Sequence, residues 1–150
     1  MATAYDVPAD ALIHRLAEKL KENKNLIPPD WSAYVRTGIH TENPPLNRDW
    51  WHTRCASVLR KIYVKKRIGV ERLRAEYGGK RDRGSKPYRA VKGSGSIVRT
   101  ILQQLEDAGL VTKVRGRGRM LTPKGQSLVD NTAYEVKQEL IEEYPELKKY

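Results

Sequence analysis

The sequence predicts a mainly α-helical protein with one short two-stranded β-hairpin. Three observations lead there. Apolar residues recur at helical spacing along most of the 150-residue chain. Glycine and proline close those stripes where helices should stop. Only LVTKVRGRGRMLTPKG, residues 110–125, reads as two short strands flanking a glycine-bearing tip. Hydrophobic residues are 39% of the chain and charged ones 31%, a balance that argues against wholesale disorder. A chain of this length buries about two thirds of its unfolded surface, so residues 1–150 are expected to form a single domain.

The elements follow in order. DVPADALIHRLAEKLKEN sets Leu12, Ile13, Leu16 and Leu20 on one stripe, with Pro8 suited to the first turn and Asp10 to the helix dipole. That predicts a helix over about 8–22. Pro28 and Pro29 stop any continuation, and Asp30 can cap a short helix over 31–37 closed by Gly38. DWWHTRCASVLRKIYVKK gives a central helix over about 50–65, capped by Asp49. Its core face carries Trp51, Cys55, Val58, Leu59 and Ile62. Arg54, Lys61 and Lys65 share a flank, and Arg60, nearly opposite the stripe, must reach solvent or a partner. Trp51 reads as core, whereas Trp50 is open to packing or to stacking on a base or a neighbouring protein.

GVERLRAEYGG predicts a short helix over 70–77, ended by Gly78. After it, GGKRDRGSKPYRAVKGSGS is expected to be a long loop, with six Lys or Arg, five glycines and a proline. SIVRTILQQLEDAG then gives a helix over about 96–108, with Ile97, Ile101, Leu102 and Leu105 inward. Strands over 110–114 and 120–122 bracket the RGRGR tip, and Thr122–Pro123 starts a last helix over 123–143. Helix, short helix, helix and two-stranded hairpin is the order of a winged helix, here about 50–122, with the first and last helices packed around it. In that arrangement the third helix and the wing, residues 96–107 and 115–119, face nucleic acid.

Charge sharpens this reading. The net charge is +11, which points to a polyanion as partner. Residues 51–92 alone hold fourteen Lys or Arg against Glu71, Glu76 and Asp82, while both ends of the chain are neutral or acidic. The candidate contacts are therefore Trp50, Arg54, Arg60, Lys61, Lys65, Lys66 and Arg67 along the central helix and its exit. Lys80, Arg81, Arg83, Lys86, Arg89 and Lys92 add to them from the loop, Arg99 from the next helix, and Arg115, Arg117 and Arg119 from the tip. KGSGS, before the fifth helix, could offer backbone N–H groups to a phosphate, although it lacks the spacing of a nucleotide-binding loop.

Other classes find little support. His14, His40 and His52 are scattered and the lone Cys55 has no cysteine partner, so neither a catalytic set nor a zinc site is assembled, and no cofactor is implied. Cys55 three residues after His52 reads as a small core residue beside a surface histidine. The N-terminal stretch lacks the basic and apolar regions of a signal peptide, and no segment approaches a membrane span, so an intracellular chain is expected.

LQQLEDAGLVTKVRGRGRMLTPKG alone would equally suit a winged-helix DNA-binding transcription regulator, which needs a dimerisation surface that no extended heptad helix supplies here. The combination of PPDWSAYVRTGIH, DWWHTRCASVLRKIY, the GV and YGG that follow, SGSIVRTILQQLEDAGLV and GRMLTPKGQSLVD decides between them. In that order these motifs closely resemble the small-subunit ribosomal protein family numbered nineteen, of the series found in archaea and eukaryotes. The resemblance runs from about residue 5 to 140. It implies a cytoplasmic, ribosome-associated protein in the small-subunit head that binds small-subunit rRNA, touches neighbouring ribosomal proteins, supports rRNA maturation and assembly, and is monomeric when free. The family's tryptophan and arginine positions on the central helix correspond to Trp50, Arg54 and Arg60, and a basic position early in the later helix to Arg99. The scarcity of Cys and Met beside many Lys, Arg and Glu resembles an archaeal, heat-adapted member.

Overall fold

A computed structural model describes residues 2–149. Its central element is α2, Trp50–Lys65, which buries Trp51, Cys55, Ala56, Val58, Leu59, Ile62 and Tyr63. Three helices lie against it: α1, Ala9–Lys21, α4, Gly95–Asp107, and α5, Pro123–Glu143. One hydrophobic cluster runs through all four. The boundaries of α2 and α5 coincide with the expected ones because periodicity and caps agree, the Thr122 hydroxyl accepting from the Gly125 N–H at 3.2 Å. Asp49 behaves differently: its carboxylate makes no cap bond and takes the Lys21 ammonium at 3.0 Å. Burial pushes the Cys55 thiol far above its ordinary pKa, which leaves it inert as a nucleophile.

The acidic C-terminal helix has an internal role. Glu135 accepts from Lys19 at 2.9 Å and from Arg15 at 3.4 Å, and Glu139 pairs with Arg15 at 3.5 Å, which ties α5 to α1. The Lys19 hydrogen bond, with Arg15 behind it, holds the Glu135 carboxyl below its ordinary value. A depressed folded pKa gives stability that is present above the unfolded pKa and lost as pH falls through the folded one. Glu135→Gln should therefore destabilise by under about 1 kcal/mol at pH 7, since the pair is partly exposed. The deficit should close below about pH 4, as urea melts at the two pH values would record.

Four expectations change around the middle of the chain. The short helix over 31–37 is a single 3-10 turn, Asp30–Ala33. The reason is tertiary: Thr37 O accepts the Ser94 N–H at 2.9 Å and Gly38 bridges to Gly93, so this backbone is drawn into extended pairing. The helix α3 runs Val70–Glu76. Gly78, expected in the left-handed conformation after it, does not have positive φ. A Cβ there would collide with Val91 O, so close approach requires this glycine.

The largest correction is the expected loop over 78–95. It forms an antiparallel hairpin, β1, Gly79–Arg83, with β2, Lys86–Val91, turning at Gly84, whose φ is +73°. The Asp82 carboxylate accepts the Gly84 N–H at 2.9 Å, a local turn that needs no core. Residues 80–90 are all exposed. Because neither face packs on the core, the apolar alternation that announces a strand is missing.

The expected wing is present as β3, Val111–Val114, and β4, Gly118–Leu121. Its free tip is shorter than RGRGR, because Gly118 and Arg119 belong to β4. Ile68 pairs with Arg119 through Ile68 N–H to Arg119 O, 3.1 Å, and Arg119 N–H to Ile68 O, 3.0 Å. This clamps the wing to the chain entering α3 and completes the winged-helix-like core.

Candidate nucleic-acid interface

The exposed flank of α2 opens on a cleft of about 710 Å³ bounded by Asp10, Thr37, Asn47, Trp50, Arg54 and Tyr77. The Arg54 guanidinium lies 4.1 Å from the centroid of the Tyr77 ring and forms no ion pair among the described residues. Burial lowers its pKa from the ordinary value, with Tyr77 and Cys55 acting the other way, and arginine remains charged. Burial also pushes the Tyr77 phenol up to about 12, so it stays neutral and shares a 2.6 Å hydrogen bond with Ser57. Trp50 forms the cleft edge, its indole N–H donating to Ser32 O at 3.3 Å and its ring meeting Trp51 edge-on at 5.4 Å. Its ring is thus engaged in packing. Arg60, farther along α2, has a buried Nε with no hydrogen-bond partner among the described residues.

Pairing divides the remaining cations. Glu76 draws in Lys61 at 3.3 Å and Lys65 at 3.9 Å, and Glu71 holds Lys92 at 2.8 Å. Arg119 lies inside the fold: its side chain is only 11% exposed and pairs with Glu106 at 3.5 Å, so it cannot project from the tip with its neighbours. Lys66 ends α2 with φ +70° and sits 5.7 Å from the Tyr63 ring. No ion pair reaches Arg67, Lys80, Arg81, Arg83, Lys86, Arg89, Arg99, Arg115 or Arg117 among the described residues, and all nine are exposed. A groove of about 450 Å³ between the wing and α3 is lined by Arg67, Arg72 and Arg117.

KGSGS is largely committed elsewhere. Gly93 N–H donates to Arg74 O at 2.8 Å, Ser94 N–H to Thr37 O at 2.9 Å, and Ile97 N–H to the Ser94 hydroxyl at 3.4 Å. Only the first amides of α4 remain for an outside anion.

Comparison with known sequences bears on what this surface meets. Residues 3–139 match the family described as Ribosomal protein S19e. The chain belongs to that family. Among its relatives, a protein named small ribosomal subunit protein eS19 from Aeropyrum pernix is 52% identical over 152 residues, covering 100% of this chain and 99% of the relative. The namesake from Thermoplasma acidophilum is 47% identical over 150 residues, with 100% and 99% coverage. Small ribosomal subunit protein eS19B of Schizosaccharomyces pombe is 39% identical over 129 residues, 86% of this chain and 90% of its own.

Membership of the S19e family supports a structural ribosomal role without catalysis, and it gives no support to a DNA-binding regulator. The geometry agrees. In this S19e chain α4, the helix that would enter a DNA groove, turns Ser96, Arg99, Gln103 and Asp107 outward, a nearly neutral face. The positive field lies on the exit of α2, on the β1–β2 hairpin and on the wing tip. Sequence reading missed Arg72, which is exposed, has no ion pair among the described residues and lines the groove with Arg67. The available signal was its position immediately before the core residue Leu73 and beside the acidic Glu71, which is in fact used by Arg74 and Lys92.

Proposed function

We infer that the chain is a structural constituent of the small ribosomal subunit that binds small-subunit rRNA in the subunit head and supports its maturation and assembly. The observation that carries this is the match along almost the whole chain to proteins named as small-subunit components. Binding is electrostatic and shape-directed: Trp50, Arg54, Arg60, Lys61, Lys65, Lys66, Arg67 and Arg99 supply one side of the interface. Lys80, Arg81, Arg83, Lys86, Arg89 and Lys92, with Arg115 and Arg117, supply the projecting parts. Lys61, Lys65 and Lys92 exchange a carboxylate for a phosphate on docking, and Arg119 acts from within by holding the wing. Exposed Tyr34 and Leu46, 83% and 100% accessible, suit contact with neighbouring ribosomal proteins. The protein is a single-domain monomer when free, cytoplasmic and bound to ribosomes in use.

Co-sedimentation with small subunits in moderate salt tests this reading, and a free pool of dimers would count against it. Arg54 gives the residue-level test. Arg54→Gln avoids burying a carboxylate against Tyr77 and should keep the folded near-ultraviolet spectrum. It should lower incorporation about tenfold, within the 1–3 kcal/mol of a charge-assisted contact. Normal incorporation of the folded variant would remove Arg54 from the interface, and an unfolded variant would make it structural.

A further inference from the structure

The β1–β2 hairpin is firmly rooted and otherwise unsupported. At its base Gly93 O accepts from Arg74 Nε at 3.0 Å, and Gly78 and Gly79 pack against Val91 and His40 too closely to admit a side chain. Beyond that base, its two strands pair with each other and pack substantially on no other element. A two-stranded hairpin without a buried face is marginal alone.

Its register determines where the charge goes. Arg81 faces Arg89 and Arg83 faces Lys86, while the pairing slips by one residue between them. The extra residue is on β2, where Pro87 and Tyr88 together oppose Asp82, and Pro87, which has no N–H, suits the bulge. The regular β1 strand puts Arg81 and Arg83 on the same face. Their partners Arg89 and Lys86 therefore join them. Without the bulge, strict alternation would separate Lys86 from Arg89. The reverse face is left with Lys80, Asp82, Tyr88 and Ala90.

Two like-charged pairs thus stand directly opposite each other across the strands, an arrangement that is destabilising on its own. Among the described residues no carboxylate relieves it, since Asp82 is committed to the turn at Gly84 and no ion pair reaches the hairpin. Arg83 Nε donates to Pro87 O at 2.9 Å, which fixes the side chain and leaves its terminal nitrogens free. Successive pairs lie about 6.7 Å apart along the strand, close to the separation of consecutive phosphates along one nucleic-acid strand.

We propose that this face of the hairpin grips two consecutive phosphates of an RNA strand, Arg81 with Arg89 on one and Arg83 with Lys86 on the next. The bulge at Pro87–Tyr88 is the device that collects the four cations. The inference rests on the rRNA-binding reading and adds to it which face binds and in what stoichiometry.

Salt-dependent binding of the full chain to purified small-subunit rRNA tests it. R81Q/R89Q and R83Q/K86Q should each weaken binding about tenfold near 0.1 M salt. Each should flatten the plot of log affinity against log salt by about 0.7–0.9, the share of one phosphate. Combined, their effects should multiply, and K80Q, which removes a single cation on the reverse face, should weaken binding by about threefold at most, less than either front pair. Amide exchange in the free variants should be no faster than in the parent, because repulsion has been removed and no support lost. A K80Q loss equal to that of the front pairs, no loss from either pair, or a slope change of two phosphates per pair would overturn the proposal. Failure of the unmodified chain to bind would instead overturn the rRNA reading on which it depends.

Discussion

Replacing Trp51 by alanine should remove about 3–5 kcal/mol of stability, the cost of deleting a large buried aromatic and leaving part of its cavity unfilled. Trp51 is fully buried on the inner face of α2 and meets Trp31 and Trp50 edge-on at 5.7 and 5.4 Å. Its indole N–H donates to Gln104 Oε1 at 2.9 Å, and the Gln104 amide donates to Ile27 O at 2.8 Å. One side chain therefore joins α2, α4 and the 27–31 segment, and truncation leaves the Gln104 carbonyl without its indole donor. The melting temperature should fall by roughly 10 °C or more for a protein of this size. Trp50→Ala, at the adjacent half-buried position, should cost markedly less. Urea denaturation of the two variants decides the matter: equal losses would mean that α2 is set deeper or shallower than described.

Gly118→Ala should cost about 3 kcal/mol or more, whereas Gly116→Ala, two residues away, should cost about 1–2 kcal/mol. Both glycines have left-handed backbone, φ +83° and +72°, so the intrinsic penalty for a side chain is the same in kind. Their surroundings differ. A Cβ on Gly116 would meet nothing within 4 Å, while one on Gly118 would lie 2.5 Å from Ile68 O and 2.6 Å from Gly69 N. Those contacts are backbone and cannot swing aside, so the Ile68–Arg119 pairing must open. Amide exchange should accelerate at Ile68 and Arg119 in Gly118→Ala and remain slow in Gly116→Ala. Similar stability losses and intact protection in both would show that conformation alone selects glycine at 118. Because Arg67, Arg72 and Arg117 line the groove at this junction, the same substitution should also weaken rRNA binding.

These two positions also separate what could be read from the chain and what could not. Trp51 was identifiable as core because it shares a helical stripe with Cys55, Val58, Leu59 and Ile62. Gly118 was identifiable only as part of a tip, since nothing local says that Ile68 runs alongside it. The hairpin from Gly79 to Val91 escaped for a related reason. Strand signals in sequence are really burial signals, and a strand exposed on both faces emits none. Its like-charged register pairs oppose local propensity, as expected where a surface is completed by a partner.

The candidate interface divides along the same line. RGRGR contains three equivalent arginines by sequence, yet strand register sends Arg119 to Glu106 and leaves Arg115 and Arg117 in solvent. Trp50 and Arg54 were both candidates, and only the packing of Tyr77 beneath Arg54 shows that the guanidinium is held in place without a carboxylate.

By itself the sequence determined the helices, the winged order, the excess of positive charge in the middle of the chain and the family resemblance, because each is carried by residues close in sequence or by their order along the chain. The tertiary structure alone decided which cations are available to a polyanion. Glu71, Glu76 and Glu106 neutralise some of them across separations that no local pattern encodes. A salt bridge depends on distance in space, and only the packing of α2, α3, α4 and the two hairpins sets those distances.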